Sequence, residues 1–497
     1  MIFGVMLAIS LGYSAAVLAR PIAQLPPSPS NPLPPSLPDS GSLQSLTRER
    51  LPSQPPPARL SLNRLDDELP GPVAPATDAQ IGRAMASLRA AANAAVFRSP
   101  SVREAAAGVR AAVQDVREAQ AARAPQLNLE VTSRYTQAAA NSAAQSLRGT
   151  PYYIANATLP VYDFGRITAQ IDSRMAASDA QDERLRSVYE TVVGETVLAL
   201  VELARSRALM AATDRYLDRI GQLSKMIAEL IREDRGRAGE LTQVQSRLLQ
   251  AGVARSTIES RLRETEISLG RLLGDDGQSR ALADAASQAS VMTAVLTPPP
   301  LEPLLAGIDR HPVIRQLKAE TEAQAQLAKS LGSARFPQVS VVAGRTPINP
   351  GATTQYLDFA GLTVSVPLYR GGGDVAAERG ARERELSVRE RREQTERDLN
   401  ARIRLSYQNS TSQLARADDY AQLLQISDRV RRDFYEQWNQ LGRRSLFELL
   451  SAENEHHSLR LAWINSVHDS LASQMRMRGE AGSYSEWFSL SALESIQ

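Results

Sequence analysis

Between Gln126 and Tyr135 apolar and polar side chains alternate, with Leu127, Leu129 and Val131 set against Asn128, Glu130 and Thr132. A period of two is that of a strand with one apolar and one wet face. A polar loop follows from about Thr136 to Pro151. The return run Tyr153 to Tyr162 alternates again, with Ala155, Ala157, Leu159 and Val161 opposed to Asn156 and Thr158, so the pattern predicts a β-hairpin over 126–162. Elsewhere the period is helical. Ile81, Met85, Leu88, Ala92 and Val96 mark one side of a helix from about Ala79 to Ala122, with a break at Ser99-Pro100 and a stop at Pro125. From Asp163 to about Arg232 nothing breaks the helical composition over roughly 70 residues, on the order of 105 Å and too long for a compact domain. A turn around Asp234–Glu240 leads into a return helix that reaches Leu273, where Gly274-Asp275-Asp276-Gly277 stops it.

The second half echoes the first. The step from Pro100 to Pro312 equals the step from Pro125 to Pro337, so the helix leading into the strand keeps its length. Pro337-Gln338-Val339-Ser340-Val341 repeats Pro125-Gln126-Leu127-Asn128-Leu129, and Leu362 to Tyr369 repeats Ala155 to Tyr162 with Pro367 over Pro160. A second long helix is expected from about Gly373 to Gln440 and its return from Ser445 to about Arg478, around the turn within Gln437–Glu455. Such self-similarity predicts two copies of one structural unit. The units are 79–297, with hairpin 126–162 and tip 234–240, and 298–482, with hairpin 337–369 and tip 441–445; 483–497 is a C-terminal tail.

Composition narrows the class. With 57 basic and 55 acidic residues the formal net charge is only +2, so no global field favours nucleic acid. Hydrophobic residues make up 43% and aromatic residues 5% of the chain, which with abundant Ala, Leu, Gln, Arg and Glu favours long helices. The absence of Cys excludes disulfides, thiol nucleophiles and Cys-ligated metals. Met1–Ala19 is uncharged, ends in Val17-Leu18-Ala19 and reads as a signal peptide; without a Lys or Arg ahead of it, an N-terminal anchor is the other reading. Residues 20–78 are dense in Pro and Ser and read as a disordered linker. No later run is long and apolar enough for a transmembrane helix, so any further crossing would use strands.

Two isolated hairpins would leave open edges in hydrocarbon, and a channel needs about 12 or more strands, which three chains of four would supply. Leu127, Leu129, Val131, Leu362, Val364, Val366 and Leu368 would then face lipid. Asn128, Glu130, Thr132, Thr363 and Ser365 would face the lumen. Twelve columns of helix would continue the barrel as a hollow coiled-coil cylinder.

This plan resembles the TolC-type outer-membrane factor family over about Ala79 to Gly482. The motifs that carry the resemblance are Ala334-Arg335-Phe336-Pro337-Gln338-Val339, Val366-Pro367-Leu368-Tyr369-Arg370-Gly371-Gly372, and Leu441-Gly442-Arg443-Arg444-Ser445 followed by Leu449-Leu450-Ser451-Ala452-Glu453. The resemblance implies an α+β membrane protein: a homotrimer with a 12-stranded outer-membrane β-barrel and a periplasmic helical barrel. It also implies a duct served by a periplasmic adaptor and an inner-membrane ABC exporter or pump, in efflux or type I protein secretion. By position, Arg444 matches the family's gate arginine and Glu448 an acidic ring position. Ser451 and Thr242 stand where acidic residues are expected, which leaves Glu240 or Glu453 as alternative partners. The tips Arg235, Gly236, Arg237, Leu441, Gly442 and Arg443 are the implied adaptor contacts. The tip GRRSLFELLSAENE is closer to type I secretion members.

Plainer readings stand beside these. Arg444 and Glu448 are four apart, and an ordinary helical ion pair explains them without a gate. The run Ala381–Arg404 interleaves acids with its arginines and reads as a solvated helix face. His456-His457 has no third ligand, and adjacent helical residues point about 100° apart. Gly371 to Gly373 lack the Lys-Ser/Thr of a phosphate loop. No catalytic arrangement and no cofactor motif is recognisable, so the expectation is a channel that is not an enzyme. A coiled-coil scaffold whose short strands merely cap helices is the alternative.

Overall fold

The computed structural model describes residues 77–132, 135–137, 146–148, 152–233, 238–288, 291–292, 296, 298–348, 355–441 and 444–488. Residues 1–19, read as a signal peptide, and most of the Pro-rich segment lie outside these residues. Two helices, α1 (Asp78–Arg98) and α2 (Pro100–Ala121), lead into β1 (Gln126–Thr132). They are separate because Pro100 cannot donate to the helical ladder and Ser99 is extended.

The predicted hairpin loop is not wholly irregular: β2 (Tyr135–Gln137) and β3 (Ser146–Arg148) pair within it before β4 (Tyr152–Tyr162) returns. Then come α3 (Arg166–Glu233, 68 residues) and α4 (Ala238–Leu273). At about 1.5 Å per residue α3 is roughly 100 Å long. Short helices α5 (Gly277–Ala286) and α6 (Leu301–Ala306) precede α7 (Pro312–Ser333). Strands β5 (Gln338–Pro347) and β6 (Tyr356–Ser365), the long α8 (Gly373–Leu441) and its return α9 (Leu446–Glu480) follow. Val366 and Leu368, expected on the lipid face, lie beyond the end of β6.

The two hairpins are joined. All four long strands form one antiparallel sheet in the order β1–β4–β5–β6, through a β4–β5 pairing that brings together residues far apart in the chain. The helices keep the order of the strands they continue: α2 packs on α3, α3 on α7, and α7 on α8. Nearer the tip, α4 flanks α3 on one side and α9 lies between α3 and α8 on the other. The chain is therefore four columns wide here, with β1, α2 and α4 along one lateral side and β6 and α8 along the other.

The largest core lies between α1, α2, α3, α5 and α9, around Leu88, Val96, Tyr189, Leu200 and Leu471. Residues 484–488, at the start of the segment read as a tail, form α10 (Tyr484–Phe488) and belong to this core. The Glu190 carboxylate accepts the Tyr484 and Ser485 amides at 3.0 and 2.9 Å, and the Tyr484 hydroxyl donates to the Met475 carbonyl. Burial raises the Glu190 pKa above its usual value.

Candidate functional site

Opposed residues in an antiparallel sheet share a face, so the register sorts the side chains. Leu127 pairs with Ala157, Leu129 with Ala155, Ala157 with Ala343, Val341 with Leu362 and Val339 with Val364. One face is thus largely apolar, its charges confined to the Arg345–Asp358 pair at one end, and it is open to the surroundings: Leu127 is 81% and Leu362 72% exposed. The other face carries Asn128, Glu130, Asn156, Thr158, Ser340 and Thr363. The polar and apolar assignments made from sequence for β1 and for Leu362 to Ser365 agree with this register.

The register slips by one residue at Val161, which turns Tyr162 onto the apolar face opposite Val339. There Tyr162 packs edge-on to Phe164, which stacks on Phe336. At the other end of the same face Tyr153 stacks on Tyr356 with ring centroids 4.4 Å apart. Beside that pair Arg345 holds Asp358 through two bonds of 2.6 and 2.7 Å, so neither charge is left alone. Gly344 is required where it stands, since a Cβ there would lie 2.6 Å from the Ala155 carbonyl oxygen and 2.9 Å from the Phe359 ring.

The tip is built by local rules. Ser445 and Glu448 form a capping box at the start of α9: the Ser445 hydroxyl accepts the Glu448 amide at 3.3 Å, and the Glu448 carboxylate accepts the Ser445 amide at 2.9 Å. Arg444 donates to Glu448 at 2.7 Å and to Gln437 at 3.2 Å, and lies 4.4 Å over the Phe434 ring. The Ser445 amide foremost, then the Arg444 guanidinium, hold the Glu448 carboxyl below the usual range.

The structure thus brings Arg444 and Glu448 together within one hairpin. It does not join them to the other two predicted gate residues. Thr242, on α4, turns its hydroxyl back to the Ala238 carbonyl, and Ser451 is half-buried on α9. Of the predicted adaptor contacts, Arg235, Gly236, Arg237, Gly442 and Arg443 lie outside the described residues, and Leu441 ends α8. Phe447, 60% exposed beside the capping box, is a tip residue that the sequence reading missed.

One turn above the cap lies a charged cluster that the sequence reading touched only through Glu453. Its carboxylate accepts from Arg219 of α3 at 3.0 Å and faces Arg431 of α8 at 3.5 Å. Arg431 in turn bonds Asp428 at 2.6 Å, and Arg432 reaches the same carboxylate. Asp428, Arg431 and Glu453 are all buried, so three helices are tied by charge inside apolar packing. A signal existed: Leu446, Leu449, Leu450, Glu453 and His456 share the core-facing spacing of α9. His457 stacks on Tyr216 at 4.3 Å, and no group fit to hold a metal ion occurs among the described residues.

Residues 91–275 match the family described as outer membrane efflux protein. Over that segment, which is well under half of the chain, the sequence is similar to that family. Solved structures carry the same fold over a longer stretch. CusC, from work on folding and transmembrane channel formation, is 15% identical with a TM-score of 0.69, covering 85% of this chain and 99% of that one. The outer membrane protein VceC of Vibrio cholerae is 18% identical with a TM-score of 0.67, covering 80% and 96%. The CmeC outer membrane channel of Campylobacter jejuni is 14% identical with a TM-score of 0.66, covering 80% and 85%. No curated protein matches in sequence. The matched family and the shared fold are those of outer-membrane channels, not of enzymes.

Proposed function

We propose that three copies of this chain close one 12-stranded barrel and its helical extension, and that the resulting tube is a passive export duct. The observation that carries this reading is the four-stranded sheet, which has one face apolar except for the paired Arg345 and Asp358, and two edge strands, β1 and β6. In hydrocarbon every backbone N–H and C=O needs a partner, so such a sheet is stable there only as part of a closed ring. The aromatic pairs at the two ends of the apolar face support the membrane placement. Nine residues separate Tyr153 from Tyr162, about 30 Å along a strand and less once tilted, against an apolar band about 25 Å tall. Asn128, Glu130, Thr158 and Thr363 then line a water-filled lumen.

The helical hairpins carry the duct across the periplasm. Their tips close it through Arg444 and Glu448 with Ser451 and Thr242, and present Arg235, Gly236, Arg237, Leu441, Gly442 and Arg443 to an adaptor. An inner-membrane ABC exporter or pump supplies the energy, in an export system of the efflux or type I secretion kind. The two units 79–297 and 298–482 are the repeated halves of each protomer, which is why one chain supplies four strands.

Single-channel recording in planar bilayers tests the reading. The wild type should show small, rare openings, and Arg444→Ala large, steady ones. Equal conductance in both would remove Arg444 from the closure; folded protein that never inserts would leave the scaffold reading in place.

A further inference from the structure

The two lateral sides of the chain each carry a cluster of exposed apolar side chains near the tip. On α4, Val244 and Ala251 are buried, and on the opposite side of the helix Leu249 and Val253 are 73% and 69% exposed. Ser246 and Ser256 extend this side without adding charge. On α8, Ala421, Leu424 and Asp428 are buried, and Leu423, Ile426 and Val430 are exposed on the far side. Neither stripe faces its own protomer, and the two lie on opposite flanks.

Their heights agree. Leu249 lies as far beyond Ala238, the first residue of α4, as Val430 lies before Leu441, the last residue of α8, and Val253 and Ile426 are matched in the same way. Both helix ends adjoin hairpin tips, and the two hairpins pack together there, since Val244 of α4 shares one apolar cluster with Trp438 near the end of α8 and Leu446 at the start of α9. The residues of each stripe thus lie at the same distances from their own tip, about 16 and 22 Å along each helix.

We infer that these stripes meet between copies, Leu249 and Val253 of one chain seating against Val430, Ile426 and Leu423 of the next. This deepens the proposed function and rests on its head-to-tail closure. The occupant is a second copy, because each stripe lies in the same column as a free sheet edge, α4 with β1 and α8 with β6. A surface on one flank that fits the opposite flank of an identical chain is a heterologous contact, and such contacts form closed rings when the rotation closes. The seam lies just above the tip cap, so it holds neighbouring chains together where the duct narrows.

The chain has no Cys, so introduced cysteines report without background. Full-length protein carrying Leu249→Cys with Val430→Cys, and separately Val253→Cys with Ile426→Cys, is purified in detergent, oxidised and run on non-reducing gels. Each pair should give linked dimers and trimers. Leu249→Cys with Leu405→Cys should stay unlinked, since Leu405 lies about 38 Å farther from the tip along α8 than Val430 does. Protein that is trimeric and conducts, yet links in neither matched pair, would overturn the seam while sparing the channel. Linking of the mismatched pair as efficient as the matched ones would overturn the proposed height match. Protein that forms no oligomer would overturn the seam and the proposed function together.

Discussion

Two charged clusters lie a few residues apart near the tip, and they obey different physics. Arg444 and Glu448 are each more than a third exposed and belong to one hairpin, whereas Glu453, Arg431 and Asp428 are buried and, with Arg219, join three helices. Water and salt screen the first pair, so its contribution to folding is small and a partner protein can displace it at low cost. The second is shielded, and each charge there depends on its neighbours, because a lone buried charge costs several kcal/mol. The tip thus combines a fixed brace with a loosely held cap, an arrangement that suits the proposed closure, which must open while its hairpins stay intact.

The largest effect should come from breaking the brace. Glu453→Ala leaves Arg219 and Arg431 without their shared carboxylate and is expected to cost about 3–5 kcal/mol, read as a lowered midpoint in urea unfolding. Replacing both partners sharpens the contrast: Arg219→Met with Glu453→Leu should lose less than the single variant, because apolar packing replaces the charges. At the cap, Ser445→Ala removes the side-chain acceptor at the start of α9 and should cost about 1 kcal/mol.

Arg444→Ala should change stability least, barely moving the urea midpoint as befits a solvent-screened helical pair, while changing channel opening most. The pH response completes the series. The Glu448 pKa lies below its ordinary 4.5, so its contribution is complete above that pH and is lost as pH falls through the lowered value. Openings of the wild type should grow more frequent below pH 4.5, and in Glu448→Gln they should no longer depend on that titration.

Local features were the legible ones. The alternation from Gln126 to Thr132 marked β1, the unbroken runs marked α3 and α8 to within a few residues, and Ser445 with Glu448 three residues on is a capping box that sequence alone displays. What escaped depends on contacts between distant segments. The pairing of β4 with β5 has no local signature, and the slip at Val161 becomes visible only against its partner strand. Segment 484–488 looked like a tail because five residues are too few to show a period, yet Tyr484 and Phe488 fill a core built by α3 and α9. Glu453 was noticed as a charge near the tip, but its partners Arg219 and Arg431 stand on two other helices, α3 and α8, which only the folded hairpins bring beside it.

The mass of the detergent-solubilised protein, measured by native mass spectrometry, tests most directly whether the two free sheet edges are closed by further copies. A particle of three chains, about 160 kDa before loss of any leader at 54.1 kDa per chain, is the expected result. A folded particle of one chain would contradict the closed barrel and the duct built on it.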